Sequence, residues 1–223
     1  MLNENHVDSV MLPDVAFCMK ASNPNVDGCI LNKTQSLTIG IVVGNIAQGN
    51  ENKSKQLEEG IKEFIDNIIH NTGYRVVLLP HVNAGKYLND LDMENNLYKQ
   101  FSNTSRVYKV PEYRADKIKW FISKCDYLVT LRMHAAIAAI SCNIPTLLIG
   151  YSIKYEGLIK DIREIHNNEL VDINTQNIGF CIIERFNALQ EKATSGIKID
   201  EGIQEYMSNI ESLKRIIEEM ENE

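Results

Sequence analysis

From Ser36 onward, apolar and polar positions follow two alternating periods. "LTIGIVVG" is a continuous apolar run, the pattern of a strand covered on both faces. "KSKQLEEGIKEFIDNIIHN" then places Leu57, Ile61, Phe64, Ile65 and Ile68 at the three-and-four spacing of an amphipathic helix. "YRVVLLP" predicts a second strand. The alternation continues with a helix near 91–102, the strand "RVYKV" and the helix "EYRADKIKWFISKC". After these come the strand "DYLVTL", the helix "MHAAIAAISCN", the strand "PTLLIG" and the helix "KYEGLIKDIREIH". Past "ELVDI", two further helices close the chain. Such alternation implies right-handed βαβ crossovers and a parallel sheet. The expected fold class is α/β, a Rossmann-like doubly wound parallel sheet.

The pattern also divides the chain. Residues 1–35 read as an irregular crossover or linker segment, with "VMLPDVAFCM" as a short strand and turn-forming Asn, Pro, Asp and Gly after it. Residues 36–195 form the predicted Rossmann-like domain. Within 196–223, Ile203, Tyr206, Ile210, Leu213, Ile217 and Met220 make an apolar helical seam to bury on this domain or on a partner.

Composition narrows the function classes. A net charge of −7 over 223 residues argues against a nucleic-acid binder, which presents a basic surface. The five cysteines form no CxxC pair, so reduced thiols in a cytoplasmic protein are expected rather than a zinc site. No apolar stretch is long enough for a membrane span, and no signal-peptide pattern opens the chain.

Candidate chemistry concentrates where Arg132 and His134 interrupt "LVTLRMHAAIAAI". Burying a cation among Ala, Ile, Leu and Val is costly, so the pair is either solvated at the end of an element or placed to meet an anion. Both follow a predicted strand and open a helix, where ligands of open parallel sheets bind. The helix N-terminus adds unpaired N–H groups and partial positive charge. The next strand-to-helix turn carries Tyr151, Ser152 and Lys154, with Ser152 as a candidate N-cap. If the two strands are neighbours, the turns face one pocket suited to a small ligand with two anionic groups. The bland readings stand beside this one: a solvated Arg132, a neutral core His134 bonded to a carbonyl, and a surface Lys154. His81, after "LLP", and Asn45, in "VGNIAQGN", belong to the same predicted edge, while Asp90 is read as the cap of the helix that follows it. "VGNIAQGN" matches neither GxGxxG nor the P-loop pattern, which disfavours nicotinamide cofactors and P-loop chemistry.

With these residues in view, "CDYLVTLRMHAAIAAISCNIPTLLIGYSIKYEGLIKDI" resembles the signature of the polysaccharide pyruvyl transferase family. The resemblance rests on Asp126, the triplet Arg132-Met133-His134, Pro145, Tyr151-Ser152, Lys154 and Gly157, with "VVLLPHV" and "DVAF" in support. It implies a fold similar to the C-terminal half of a glycosyltransferase-B architecture, with the N-terminal domain expected to be missing. It further implies transfer of the enolpyruvyl group of phosphoenolpyruvate onto a sugar hydroxyl pair, forming a pyruvate ketal in cell-surface polysaccharide synthesis. The acceptor would be a sugar or lipid-linked oligosaccharide. By the same resemblance Arg132 and His134 contact phosphoenolpyruvate, His134 is the candidate acid/base, and Ser152, Lys154, His81 and Asn45 line the pocket. No metal or cofactor beyond the donor substrate is implied. Two alternatives stay open: a glycosyltransferase of similar fold using a nucleotide-sugar, and a truncated non-catalytic partner subunit. A separate N-terminal domain or a second copy of the chain is the expected macromolecular partner.

Overall fold

Each predicted strand from residue 36 to 150 forms, because each pairs with a neighbour that covers its backbone polar groups. The computed structural model describes residues 14–26, 36–46, 50–84, 88–150 and 170–194, together with 208, 211, 212 and 215. The elements are β1 (Thr38–Val42), α1 (Glu51–Asn71), β2 (Arg75–Leu78), β3 (Asn83–Ala84), β4 (Leu88–Asn89) and α2 (Asp90–Phe101). They are followed by β5 (Val107–Lys109), α3 (Ala115–Ile122), β6 (Tyr127–Thr130), α4 (Met133–Ile140), β7 (Thr146–Gly150), β8 (Leu170–Asp172) and α5 (Ile178–Thr194).

Six strands form one sheet in the order β5-β2-β1-β6-β7-β8. All its pairings are parallel, so every strand delivers its carboxyl end to the same edge. The chain winds outward from β1 in one direction through β2 and β5, then restarts beside β1 with β6. The switch point therefore lies between β1 and β6, where Val42 is level with Thr130. This is the α/β doubly wound sheet that the alternating pattern predicts.

Period two along β1 separates the faces. Ile39 and Ile41 join a core with Leu57, Ile61 and Phe64 of α1 and with Ile182 and Phe186 of α5. Val42 packs on the opposite face with Ile118 and Phe121 of α3 and Ala135 and Ala138 of α4. All five apolar stripe positions of α1 are buried, at about 1.5–3 kcal/mol of transfer free energy for each large side chain. The alanines of α4 let that helix lie close to the sheet. Asn143 then stops it in the left-handed region at φ 58°, two residues before Pro145.

Several local readings change. "VMLPDVAFCM", expected as a strand, contains instead a 3₁₀ turn at Val15–Cys18 capped by Asp14, among its described residues. Phe17 anchors that turn on α4 and β7 through Ala136, Ile137, Ile140 and Leu148, so burial of one aromatic side chain outweighs strand propensity. The helix expected over 112–125 is shorter, because the Glu112 carboxylate accepts hydrogen bonds from Asn83 Nδ2 instead of entering α3. A small antiparallel pair, β3 with β4, stands between β2 and α2 without a strong sequence signal.

Cys18, Cys125, Cys142 and Cys181 are free thiols. Cys125 is buried, and burial pushes its thiol up to about 12. Cys142 is only half-buried, because it sits in the turn that ends α4. No helix among the described residues is long and apolar enough to cross a membrane. Cys29, the helix expected at 154–166 and the six apolar seam residues of 196–223 lie outside the described residues. Ser208, Glu211, Ser212 and Arg215 of that last segment are helical and exposed.

Candidate functional site

Thr130 sets the geometry at the switch point. Its buried hydroxyl donates to the Val42 carbonyl at 3.0 Å, tying the carboxyl end of β6 to that of β1. The same oxygen accepts from the Arg132 N–H at 2.9 Å. Arg132 is thereby held in extended backbone as the residue before α4, whose first turn has no side-chain cap.

The Arg132 guanidinium answers the question raised by its apolar surroundings in a way that the sequence reading did not foresee. It is 14% exposed and pairs with Asp90, which is fully buried. Nε donates to Asp90 Oδ1 at 3.0 Å and Nη2 to the same oxygen at 2.5 Å. Nη2 also donates to the backbone carbonyl of Asn45 at 3.1 Å. Asp90 Oδ2 in turn accepts from the N–H groups of His81 and Val82, at 3.1 and 2.8 Å. A buried carboxylate thus meets a cation and two amides, the saturation such a charge requires. Nη1 makes no hydrogen bond to a described residue.

Asp90 is therefore not the cap that its sequence position suggests. Asn89 caps α2, accepting from the Leu91 N–H at 2.9 Å, which frees the Asp90 side chain to point away from its own helix terminus. Gly44 makes room for the pair: a Cβ there would collide with the Asp90 carboxylate and lie 2.8 Å from Arg132 Nη2. The helical spacing of α2 carries a signal for Asp90. Asp90, Met93, Glu94, Leu97 and Phe101 form the buried stripe of α2, so two acids occupy the apolar face.

Glu94, one turn from Asp90, is fully buried, and neither carboxyl oxygen has a hydrogen-bond partner among the described residues. Burial, and then the Asp90 charge, push its pKa up to about 9, with Lys109 pulling the other way. Lys109 Nζ is engaged by Asn95 Oδ1 at 2.5 Å. Glu94 is thus neutral at neutral pH while Asp90 serves as the counter-ion of Arg132.

Two histidines complete the edge. His81, after β2, is half-buried; burial pushes its imidazole below the ordinary range, Asp90 pulls upward, and His134 and Arg132 add to the lowering. His134, in the first turn of α4, is 59% exposed, which sets aside its reading as a core histidine. Its Nε2 stands 3.7 Å from Asp14 Oδ2 of the capped 3₁₀ turn.

The structure accordingly brings together His81, Arg132, His134 and the backbone of Asn45. Ser152 and Lys154 lie outside the described residues, although β6 and β7 are neighbours as the two-turn reading requires. Asp126, the signature acid opening β6, stands at the opposite edge of the sheet, where its Oδ2 accepts from the Thr38 N–H at 2.7 Å.

Several solved structures are similar to this chain. One is the C-terminal domain of a group 1 family glycosyl transferase, LpcC, from Francisella tularensis, at 17% identity, covering 78% of this chain and 85% of that one, TM-score 0.50. Another, described as trehalose-6-phosphate from E. coli bound with UDP-2-fluoro glucose, has 10% identity, covers 78% of this chain and 41% of that one, and has TM-score 0.44. A trehalose-6-phosphate synthase, OtsA, has 12% identity with 80% and 44% coverage and TM-score 0.45, so this chain spans less than half of its length. No curated protein matches the sequence. The family model for polysaccharide pyruvyl transferase matches residues 1–153, a span that includes Asp14, His81, Asp90, Arg132 and His134. By that match, the chain belongs to the polysaccharide pyruvyl transferase family.

Proposed function

We propose that this chain binds phosphoenolpyruvate at the carboxyl edge of β1, β2 and β6 and carries the donor half of a pyruvyl transfer to a sugar. The observation that supports this most directly is the guanidinium of Arg132, pinned by Asp90 at the switch point, with Nη1 bonded to no described residue. A fork-shaped cation fixed before the ligand arrives needs no reorganisation to meet a carboxylate or phosphate. The first turn of α4, with its open N–H groups, adds to the same field.

In this reading His134 donates a proton to C3 of the enolpyruvyl group, generating cationic character at C2. A sugar hydroxyl attacks C2, the C2–O bond to phosphate breaks, and a second hydroxyl closes the ketal. Each hydroxyl releases its proton as its C–O bond forms. Arg132 stabilises charge on the donor, and His81, whose imidazole burial pushes below the ordinary range, offers a hydrogen bond to it. Ser152 and Lys154 would supply the phosphate side of the pocket. The reading also includes a sugar or lipid-linked acceptor, a role in cell-surface polysaccharide synthesis, and a second domain or copy to close the pocket.

Calorimetric titration of phosphoenolpyruvate tests the proposal, with inorganic phosphate, pyruvate and UDP-glucose as comparison ligands. Exposed His134 is the safe position to vary, since His134→Gln leaves the buried pair intact; Arg132→Lys keeps the charge and loses the fork. Phosphoenolpyruvate is expected to bind more tightly than phosphate or pyruvate, with about tenfold loss in each variant. Preference for UDP-glucose would favour the nucleotide-sugar alternative, and equal weak binding of all four would sink the proposal.

A further inference from the structure

The proposed reading makes His134 the proton donor but does not say what holds an exposed imidazole in place. We propose that Asp14 is its positioning residue: the carboxylate, locked by the 3₁₀ turn it caps, holds one proton on Nε2, so that a second proton taken up at Nδ1 is the one the imidazolium passes to the substrate. This inference rests on the phosphoenolpyruvate reading and deepens it.

Three observations carry it. Asp14 Oδ1 accepts from the Ala16 N–H at 2.8 Å, which fixes the carboxyl plane, while Oδ2 lies 3.7 Å from His134 Nε2. Phe17, three residues on, is buried against Ala136, Ile137 and Ile140, so the segment bearing Asp14 is fastened to the same helix that bears His134. The two side chains therefore keep their relation even though both are partly exposed. The separation is in ion-pair range and longer than a hydrogen bond, as acid–base contacts often are before a ligand binds.

Electrostatics gives the third argument. A carboxylate beside an anion pocket repels the ligand, so at this place it works against phosphoenolpyruvate binding. A cap alone needs no charge, because Asn caps as well as Asp. What the charge adds is a fixed acceptor for one imidazole nitrogen, the arrangement that selects a tautomer. Among the described residues, the charged and titratable groups that share this edge with His134 are His81, Arg132 and Asp90, and the Asp90 carboxylate is already taken up by Arg132 and two backbone N–H groups.

The test uses the full chain labelled with ¹⁵N in histidine, comparing Asp14→Asn with the parent. Ring signals of His134 are assigned by their loss in His134→Gln. In the ligand-free parent, Nε2 is expected as the protonated nitrogen, and phosphoenolpyruvate should move the Nδ1 signal. In Asp14→Asn the ring signals should shift and broaden with the unfolding midpoint unchanged. The Nδ1 response to saturating phosphoenolpyruvate should fall by about half or more. Asp14→Glu should restore part of it. Ring signals that superimpose on those of the parent would overturn the proposal, as would a ligand response at Nε2. A tenfold loss of phosphoenolpyruvate affinity in Asp14→Asn would also overturn it, since that marks a direct ligand contact. Should the parent bind no phosphoenolpyruvate, the functional reading fails. The ligand-free ring signals then still decide whether Asp14 holds His134.

Discussion

The two ends of β6 make an instructive contrast. Asp126 opens the strand and Arg132 follows its last residue, and both stand out as charges beside apolar runs. At the amino edge, Asp126 Oδ2 accepts from the Thr38 N–H, and Arg75 Nη2 donates to Thr38 Oγ1 at 2.8 Å. The carboxylate is exposed and its work is to hold the end of β1. At the carboxyl edge the guanidinium is mostly buried and pinned by the fully buried Asp90, while its Nη1 bonds to no described residue. Two histidines stand beside it with no backbone role for their rings. The same strand thus carries a structural charge at one end and a preorganised one at the other. What separates them is how rigidly the charge is held out of solvent: Asp126 is exposed, whereas the Arg132 guanidinium is fixed by a buried carboxylate.

Breaking the buried side should have the largest effect. Asp90→Ala leaves Arg132 without its counter-ion and two backbone N–H groups without an acceptor. A loss of about 3–5 kcal/mol in unfolding free energy is expected by urea denaturation. Gly44→Ala attacks the same pair from below without removing a charge. The added methyl should cost about 1–3 kcal/mol by displacing the carboxylate, and should weaken phosphoenolpyruvate binding along with it.

Glu94 sharpens the contrast within the carboxyl edge itself. Asp90 and Glu94 share one helix face, yet one is saturated with donors and the other has none among the described residues. The folded protein holds the Glu94 proton up to about pH 9, whereas the unfolded chain releases it near 4.5. Between those values the unfolded state binds fewer protons, so stability falls as pH rises through this window and levels off above it. The slope from this group is at most about 1.4 kcal/mol per pH unit. Glu94→Gln should flatten the dependence measured between pH 5 and 9, and an unchanged slope would show that Glu94 is ionised in the folded state.

The smallest effect is expected at the amino edge. Asp126→Ala removes one exposed acceptor and should cost about 1 kcal/mol or less. Phosphoenolpyruvate affinity should not change, because the residue lies at the far end of the strand. A loss of binding comparable with that of His134→Gln would erase the distinction between the two edges.

Much of this architecture is legible in the chain. Apolar runs at 37–44, 76–79 and 127–131 call for burial on both faces, and the stripe of α1 required a sheet to lie against. The strand-to-helix switch at Arg132 and His134 also placed candidate chemistry at the carboxyl edge. Those are local properties, set by period and by where it changes. The partner of Arg132 was not legible. Asp90 lies 42 residues away along the chain, and only the order β2-β1-β6 brings the two over Gly44. Nor could composition distinguish Asp126 from Arg132, since each is a lone charge at the end of an apolar run. Asp14 reads as part of a strand until Phe17 finds its pocket on α4. Periodicity reports which face a residue takes, because that depends on its neighbours in sequence. Which distant charge meets it there depends on strand order and on the room a glycine leaves, and these exist only once the sheet has formed.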